Sequence, residues 1–285
     1  PAAHRAVRSS RMGEGFTFAV VGRNEAATLP TALGFALDAA QGDDQVWFVD
    51  SGSTDASAQI AADLGAEVVP GPVGKGRAMQ VAFDRCTAGH LIFLDADYEW
   101  SERNIPAEIR AEAVRTDADM VVGTYDEAGR RRVVMPGVYH PLVGALAPEA
   151  LEHIDIALSG FRAVRPHVLR SPLPPGYGAE THLNLEATFG GDRVVSCPVG
   201  GFRGSLRGYT NIPAILDDVA AAILDSAIRH GRLEQSARSV WDGWVDGVRK
   251  LVADQPPPGA DDVGFSERLA TLATRPLPPT GIVDR

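Results

Sequence analysis

The chain of 285 residues carries 27 Lys and Arg against 37 Asp and Glu, a net charge of −10, with 45% hydrophobic residues. That length and apolar content suit one large domain or two small ones around a sizeable core, and the acidic balance argues against a nucleic-acid or anionic-membrane partner, which needs a basic face. Two cysteines, Cys86 and Cys197, are too few for a disulfide scaffold and lack metal-ligand spacing. No run approaches the ~18 apolar residues of a membrane span. Residues 1–11 carry Arg5, Arg8 and Arg11 with no apolar stretch behind them, so no signal peptide is expected. The expectation is a soluble, reduced, cytoplasmic protein.

Residues 16–21 (FTFAVV) read as a β-strand ending at Gly22, and 28–40 as a helix that tolerates Pro30 in its first turn. Residues 45–49 (QVWFV) form a second buried strand, 55–64 a helix closed by Gly65, and 66–69 a third strand. A helix over 75–86 leads to a strand over 90–94 (HLIFL) that stops abruptly at Asp95-Ala96-Asp97. A helix over 105–115 and a strand over 119–123 complete the alternation. It predicts an α/β fold, a mostly parallel sheet with helices on both faces. The middle is less regular: 133–147 has helical character interrupted by Pro136, Gly137 and Pro141, while 157–164 and 194–202 read as strands. Helices are expected near His167 and over 180–188, and in two pieces over 213–253 broken near Gly231. Residues 256–259 (PPPG) read as a linker, 265–273 as a last helix, and about 1–13 and 275–285 as frayed ends.

Chemistry-bearing residues gather at the carboxyl ends of these strands, where α/β proteins bind ligands. Arg23, Asn24 and Glu25 follow the first strand, the plainer alternative being Asn24 as a helix cap. Asp50-Ser51-Gly52-Ser53-Thr54-Asp55 follows the second; its glycine permits a tight turn and its hydroxyls and carboxylates can bind a base or ribose. Gly74-Lys75-Gly76 opens a helix and suits phosphate or nucleobase contact, although Walker spacing is absent. Asp95 and Asp97 place two carboxylates where they repel unless a cation or donors sit between them, and hard oxygen ligands favour Mg²⁺ or Mn²⁺.

In this order, these motifs resemble the nucleotide-sugar half of the GT-A (Rossmann-like) glycosyltransferases, and most of all the retaining glucosyl-3-phosphoglycerate synthases and their mannosylglycerate relatives. Leu158-Ser159-Gly160-Phe161-Arg162-Ala163 is similar to that family's L-S-G-x-x-A segment, and Pro175-Gly176-Tyr177-Gly178-Ala179-Glu180 to its G-Y-G-x-E segment. The resemblance implies a GT-A domain over 14–210, with a nucleotide-sugar half at 14–125 and an acceptor half at 126–210, then a C-terminal helical extension and tail over 211–285. It implies that Arg23, Asn24, Glu25, Asp50, Ser51, Gly52 and Lys75 bind the nucleotide, UDP preferred over GDP. Asp95, Ala96 and Asp97 would bind the metal and diphosphate, and Ser159 and Gly160 would border the sugar. Glu180 and Asp97 become the catalytic candidates, in a transfer that retains the anomeric configuration.

One departure stands out. The relatives carry a histidine after the last strand that helps to hold the metal, and residues 202–209 (FRGSLRGY) have none. Arg203 or Arg207 would then neutralise phosphate, or the carboxylates and donor oxygens would hold the metal alone. Arg130, Arg131 and Arg132 fall where the relatives have a basic loop near the acceptor, which with Tyr177 implies a small anionic or polar hydroxylated acceptor such as 3-phosphoglycerate. A solvated turn paired with Asp126 and Glu127 is the plainer reading of these arginines. Tyr139 and His140 are further candidates for the acceptor pocket, and Trp241 and Trp244 for packing or a homodimer face. The Ala/Arg/Gly-rich composition fits a high-GC bacterial source and leaves room for an acceptor far from phosphoglycerate. Two other functions stay open: a sugar-phosphate nucleotidyltransferase, and a nucleotide-sugar-binding protein with degraded catalysis.

Overall fold

The computed structural model describes residues 13–126, 133–204, 212–253, 271 and 275–282. Alternate residues of the first strand enter different cores. Along β1 (Gly13–Gly22), Phe18 and Val20 join one buried cluster and Ala19 and Val21 another, because successive side chains leave opposite faces of a sheet. Such a strand is covered on both sides, and the following elements supply the cover: α1 (Leu29–Ala39), β2 (Gln45–Asp50), α2 (Ser57–Asp63), β3 (Glu67–Pro70), α3 (Lys75–Arg85) and β4 (Ala88–Asp95). The short β5 (Tyr98–Ser101) precedes α4 (Ile105–Thr116) and β6 (Met120–Asp126). Then come α5 (His140–Leu146), β7 (Arg162–Val164), α6 (Ala179–Gly190), β8 (Val194–Gly204), α7 (Ile212–Arg229) and α8 (Arg238–Ala253).

The strands form one sheet in the order β3-β2-β1-β4-β7-β6-β8-β5. β1 is parallel to β2 and β4, β2 to β3, and β6 to β8, while β7 is antiparallel to β4 and β6, and β5 to β8. The mostly parallel sheet predicted by the alternation is therefore present. α1, α2 and α4 pack on one face through Leu29, Leu33, Ala61 and Ile109; α3, α5, α6, α7 and α8 cover the other through Met79, Val143, Leu183, Ile223 and Trp241. Removing one of the large rings at the centre, such as the fully buried Phe18, would cost about 3–5 kcal/mol.

Three segments differ from expectation for identifiable reasons. Residues 157–161 do not extend β7. The Phe161 N–H bonds to Ser159 Oγ at 3.3 Å and Arg162 Nε to the Ser159 carbonyl at 3.1 Å, folding this stretch into a turn. Within 133–147 the chain forms a π-helical turn, Met135–Tyr139, that runs into α5. Pro141 has no N–H to donate, and the His140 N–H reaches Met135, five residues back, so the wider turn absorbs the proline.

The third correction concerns the end of the chain. Residues 275–282 were expected to fray, yet Trp241 Nε1 donates to the Pro279 carbonyl at 3.0 Å and Trp244 Nε1 to that of Pro276 at 3.1 Å. Buried indoles that need an acceptor are what hold the tail. Both tryptophans are spent inside this chain, so neither forms a dimer face. Of the expected frayed start at about 1–13 all but Gly13, the expected PPPG linker and, apart from residue 271, the expected helix at 265–273 lie outside the described residues. Among the described residues no helix is long and apolar enough to cross a membrane.

Candidate active site

β1, β2 and β4 end side by side, and the loops that leave them are knitted together. Asn24 sits at φ 58°, a left-handed conformation that asparagine tolerates. Its N–H donates to Ser53 Oγ at 3.0 Å, and its Oδ1 accepts from the Thr54 N–H at 2.7 Å. The Glu25 N–H donates to Ser57 Oγ at 2.9 Å, and Arg23 Nε to the Gly52 carbonyl at 3.3 Å. Asn24 is therefore a clasp between two loops and not a helix cap. Asp50 accepts from the Ser53 N–H at 2.8 Å, closing its own turn. Ser51 donates to the Pro72 carbonyl at 3.1 Å and accepts from the Gly74 N–H at 3.0 Å. Much of the hexapeptide's polarity holds the loops in place.

A cavity of about 880 Å³ opens above these loops. Arg23, Asn24, Glu25, Ser51, Lys75, Asp95, Ala96 and Asp97 line it from the first half of the chain, and Tyr177 and Glu180 from the second. Asp50 and Gly52, half-buried, and Ser159 and Gly160, buried, are not among the residues that line it. At the base, Lys75 Nζ contacts Asp95 Oδ1 at 2.7 Å and Glu180 Oε1 at 2.5 Å. Burial alone would favour the neutral amine, but the two carboxylates outweigh it and hold the ammonium above the ordinary lysine range. Glu180, in the first turn of α6, is 3% exposed.

The two glycine motifs converge on this cluster. The Gly76 N–H donates to the Gly176 carbonyl at 3.0 Å and that of Arg77 to Pro175 at 3.2 Å, so the amino end of α3 is occupied by the loop that carries Glu180. Those N–H groups are taken and cannot bind a phosphate; of this motif, Gly74 and the Lys75 side chain line the cavity. A Cβ on Gly76 would lie 1.8 Å from the Pro174 carbonyl oxygen, and one on Gly160 would lie 2.1 Å from Asp95 Oδ2. Both positions require glycine because another chain segment occupies the space of a side chain.

Sequence reasoning missed three supports. Arg162 is fully buried beneath the site, donating to the Glu180 carbonyl at 3.2 Å, to Asn184 Oδ1 at 3.0 Å and to the carbonyls of Ala157 and Ser159. Its place in the L-S-G-x-x-A segment was visible, but its orientation was not. Asp218 of α7 accepts from the Tyr177 N–H at 2.7 Å, fixing the turn before Glu180. Apolar side chains from β6, β8, α7 and the loop before β7 complete the cavity wall. Tyr139 is buried against Asn184 and its hydroxyl is pushed up to about 12 by burial, while His140 is exposed; neither lines the cavity. Arg203 is not among its lining residues and makes an exposed pair with Glu99 at 3.3 Å. Arg130, Arg131, Arg132 and Arg207 lie outside the described residues.

Asp97 and Asp95 offer only carboxylate oxygens, a donor set that fits magnesium or manganese once diphosphate oxygens fill the remaining positions. A separate group, Asp119, His167 and Asp192, brings potential ligand atoms within 4.8 Å of one another at the opposite end of the sheet. There Arg170 forks onto both oxygens of Asp192 at 2.7 and 2.8 Å, and His167 Nε2 lies 3.1 Å from Asp119 Oδ1.

The sheet order, the paired carboxylates ending β4 and the acidic first turn of α6 define a glycosyltransferase of the GT-A type. Residues 17–170 match the Glycosyl transferase family 2 profile, and the chain belongs to that family. Protein RfbJ of Shigella flexneri is 31% identical over 93 residues, which cover 32% of this chain and 71% of RfbJ. Among solved structures, glucosyl-3-phosphoglycerate synthase of Mycobacterium tuberculosis with Mn²⁺, UDP-glucose and phosphoglyceric acid aligns with a TM-score of 0.66 at 26% identity. The match covers 75% of this chain and 80% of that one. The same enzyme with Mg²⁺ and UDP aligns with a TM-score of 0.65 at 26% identity and the same coverage.

Proposed function

We infer that the protein transfers glucose from UDP-glucose to a hydroxyl of a small acceptor, with retention of the anomeric configuration. The observation that carries this reading is the Lys75 ammonium bridging Asp95 and Glu180 at the base of the cavity. It supplies a cation beside the diphosphate position and a carboxylate beside the sugar position. Likeness to a synthase solved with UDP-glucose supports the donor.

In this reading, Arg23, Asn24 and Ser51 border the nucleotide, and the sugar lies toward Glu180. The bond between the anomeric carbon and the β-phosphate oxygen breaks, UDP departs, and the acceptor oxygen bonds to the same face. The acceptor proton passes to the departing phosphate oxygen. Glu180, held by Lys75 and by the helix that Arg162 anchors, orients the sugar hydroxyls. A divalent cation held by Asp97, with Asp95 beside it, would add positive charge against the leaving diphosphate. Incubation with UDP-glucose, GDP-glucose and GDP-mannose, read by mass spectrometry and by the anomeric coupling of the product, tests the reading. A UDP-glucose product with inverted configuration, or transfer from the GDP sugars alone, would refute it.

A further inference from the structure

The turn before β7 and the amino end of α6 meet over a single buried cation. Across the antiparallel pair of β4 and β7, Phe93 stands opposite Arg162. Continuing that register brings Gly160 against Asp95, whose carboxylate a Cβ on the glycine would meet at 2.1 Å. Phe93 and Asp95 leave β4 on the same face, because side chains alternate along a strand. Arg162 and Asp95 are therefore diagonal neighbours, a spacing of about 7–8 Å in an antiparallel pair.

The Arg162 guanidinium is fully buried, and it is satisfied as a donor but not as a charge. Nε and Nη2 donate to the Ser159 carbonyl, and Nη2 also to that of Ala157. Nη1 donates to the Glu180 carbonyl at 3.2 Å and to Asn184 Oδ1 at 3.0 Å. Every one of these acceptors is neutral. A guanidinium taken out of water is costly unless opposite charge lies close, and a neutral donor would serve the same carbonyls without that cost. The charges that answer it belong to the site. Burial lowers the guanidinium below its ordinary value, and the field of Glu180 and Asp95 acts against that lowering.

The same two carboxylates hold Lys75, Asp95 at 2.7 Å and Glu180 at 2.5 Å. The base of the cavity thus sets two cations against two carboxylates. With Arg162 neutralised, one ammonium would face both carboxylates, and net negative charge would stand where a diphosphate arrives.

We propose that Arg162 is a positioning residue whose buried charge balances Asp95 and Glu180 and so lets the Lys75 ammonium turn to the donor's diphosphate. This rests on the UDP-glucose reading above and deepens it. Recognition of the donor's charge falls to a pair of cations, one lining the cavity and one beneath it.

Three substitutions separate the charge of Arg162 from its hydrogen bonds. Arg162→Met removes both, while Arg162→Lys keeps the charge and loses the planar fork. Asn184→Asp keeps the fork and sets a carboxylate against the guanidinium, cancelling its charge locally. Each variant is titrated calorimetrically with UDP-glucose at one fixed Mn²⁺ concentration, with thermal unfolding to confirm that it is folded. Asn184→Asp and Arg162→Met should weaken UDP-glucose binding at least about tenfold, and Arg162→Lys should stay within about threefold of wild type. A role confined to holding the turn and the helix predicts the reverse order, with Asn184→Asp at wild-type affinity and Arg162→Lys as weak as Arg162→Met. Where an arginine variant fails to fold, Asn184→Asp alone decides. The proposal is overturned if Asn184→Asp binds UDP-glucose as the wild type does, or if Arg162→Lys binds no better than Arg162→Met. Failure of the wild type to bind UDP-glucose would instead overturn the donor assignment, and this proposal with it.

Discussion

Lys75→Met is the perturbation that most directly tests the site's electrostatics. The substitution keeps the length of the side chain and removes the charge that separates Asp95 from Glu180. At contacts of 2.7 and 2.5 Å, each ion pair is worth about 6 kcal/mol at an effective dielectric of about 20, before desolvation. Desolvation of the groups cancels much of that. Removing one partner of a fully buried pair still costs about 3–5 kcal/mol, because a buried charge is left uncompensated. Here the lysine and Asp95 side chains are 22% and 30% exposed, so about 2–4 kcal/mol is expected. In a chain of this size that is a fall of about 3–7 °C in Tm. Urea unfolding of Lys75→Met, Glu180→Gln and the double variant should give a coupling of about 1–3 kcal/mol, the double variant being more stable than additivity predicts. A Lys75→Met protein within about 0.5 kcal/mol of wild type, with no coupling, would show that the bridge contributes nothing and that Glu180 is held by its helix alone.

Three further outcomes are expected. Asp97→Ala should lower the transfer rate at least about tenfold, about 1.4 kcal/mol in the barrier, with a changed response to Mn²⁺ in the same assay. Gly160→Ala would put a methyl group 2.1 Å from the Asp95 carboxylate, and the overpacking should cost about 1–3 kcal/mol by thermal unfolding and displace Asp95 from Lys75. Burial lowers His90 and His182 below the ordinary histidine value of about 6.5. The unfolded chain therefore takes up these protons first, so their contribution to stability is complete above about pH 6.5 and declines as pH falls below it. His182→Gln should flatten the fall in Tm between about pH 7 and 5, and an unchanged slope would place the titration elsewhere.

The first half of the fold was legible because its signals are local. Runs such as FTFAVV and HLIFL are apolar on both faces, and each ends in a polar loop at the same edge of the sheet. β5 escaped notice because YEWS exposes Glu99 and Trp100 and has little apolar content to mark a strand. Lys75, Asp95, Asp97 and Glu180 stood out as motif residues, and all four line the cavity. Asp50 and Ser159 stood out equally, yet their polar groups serve turns; a motif does not reveal which way a side chain faces. The apolar wall was invisible for another reason. Tyr125, Met135, Phe202 and Ile215 belong to different elements and look like ordinary core residues until the fold assembles them. Asp218 likewise carries no local sign that its carboxylate will meet the Tyr177 N–H.

That last contact has a consequence for the order in which the protein comes into being on the ribosome. The strands and loops that line the cavity from Val21 to Asp97 lie ahead of residue 98 and leave the ribosome well before α7. The turn ahead of Glu180, however, takes its carboxylate anchor from α7, and a Cβ on Gly176 would lie 2.0 Å from that carboxylate, so the turn is shaped to fit it. A nascent chain that ends before residue 218 can present these cavity loops but lacks the anchor that fixes the turn before its acidic helix. Synthesis thus proceeds from an open-sided cavity to a closed one, with α7 acting as the latch.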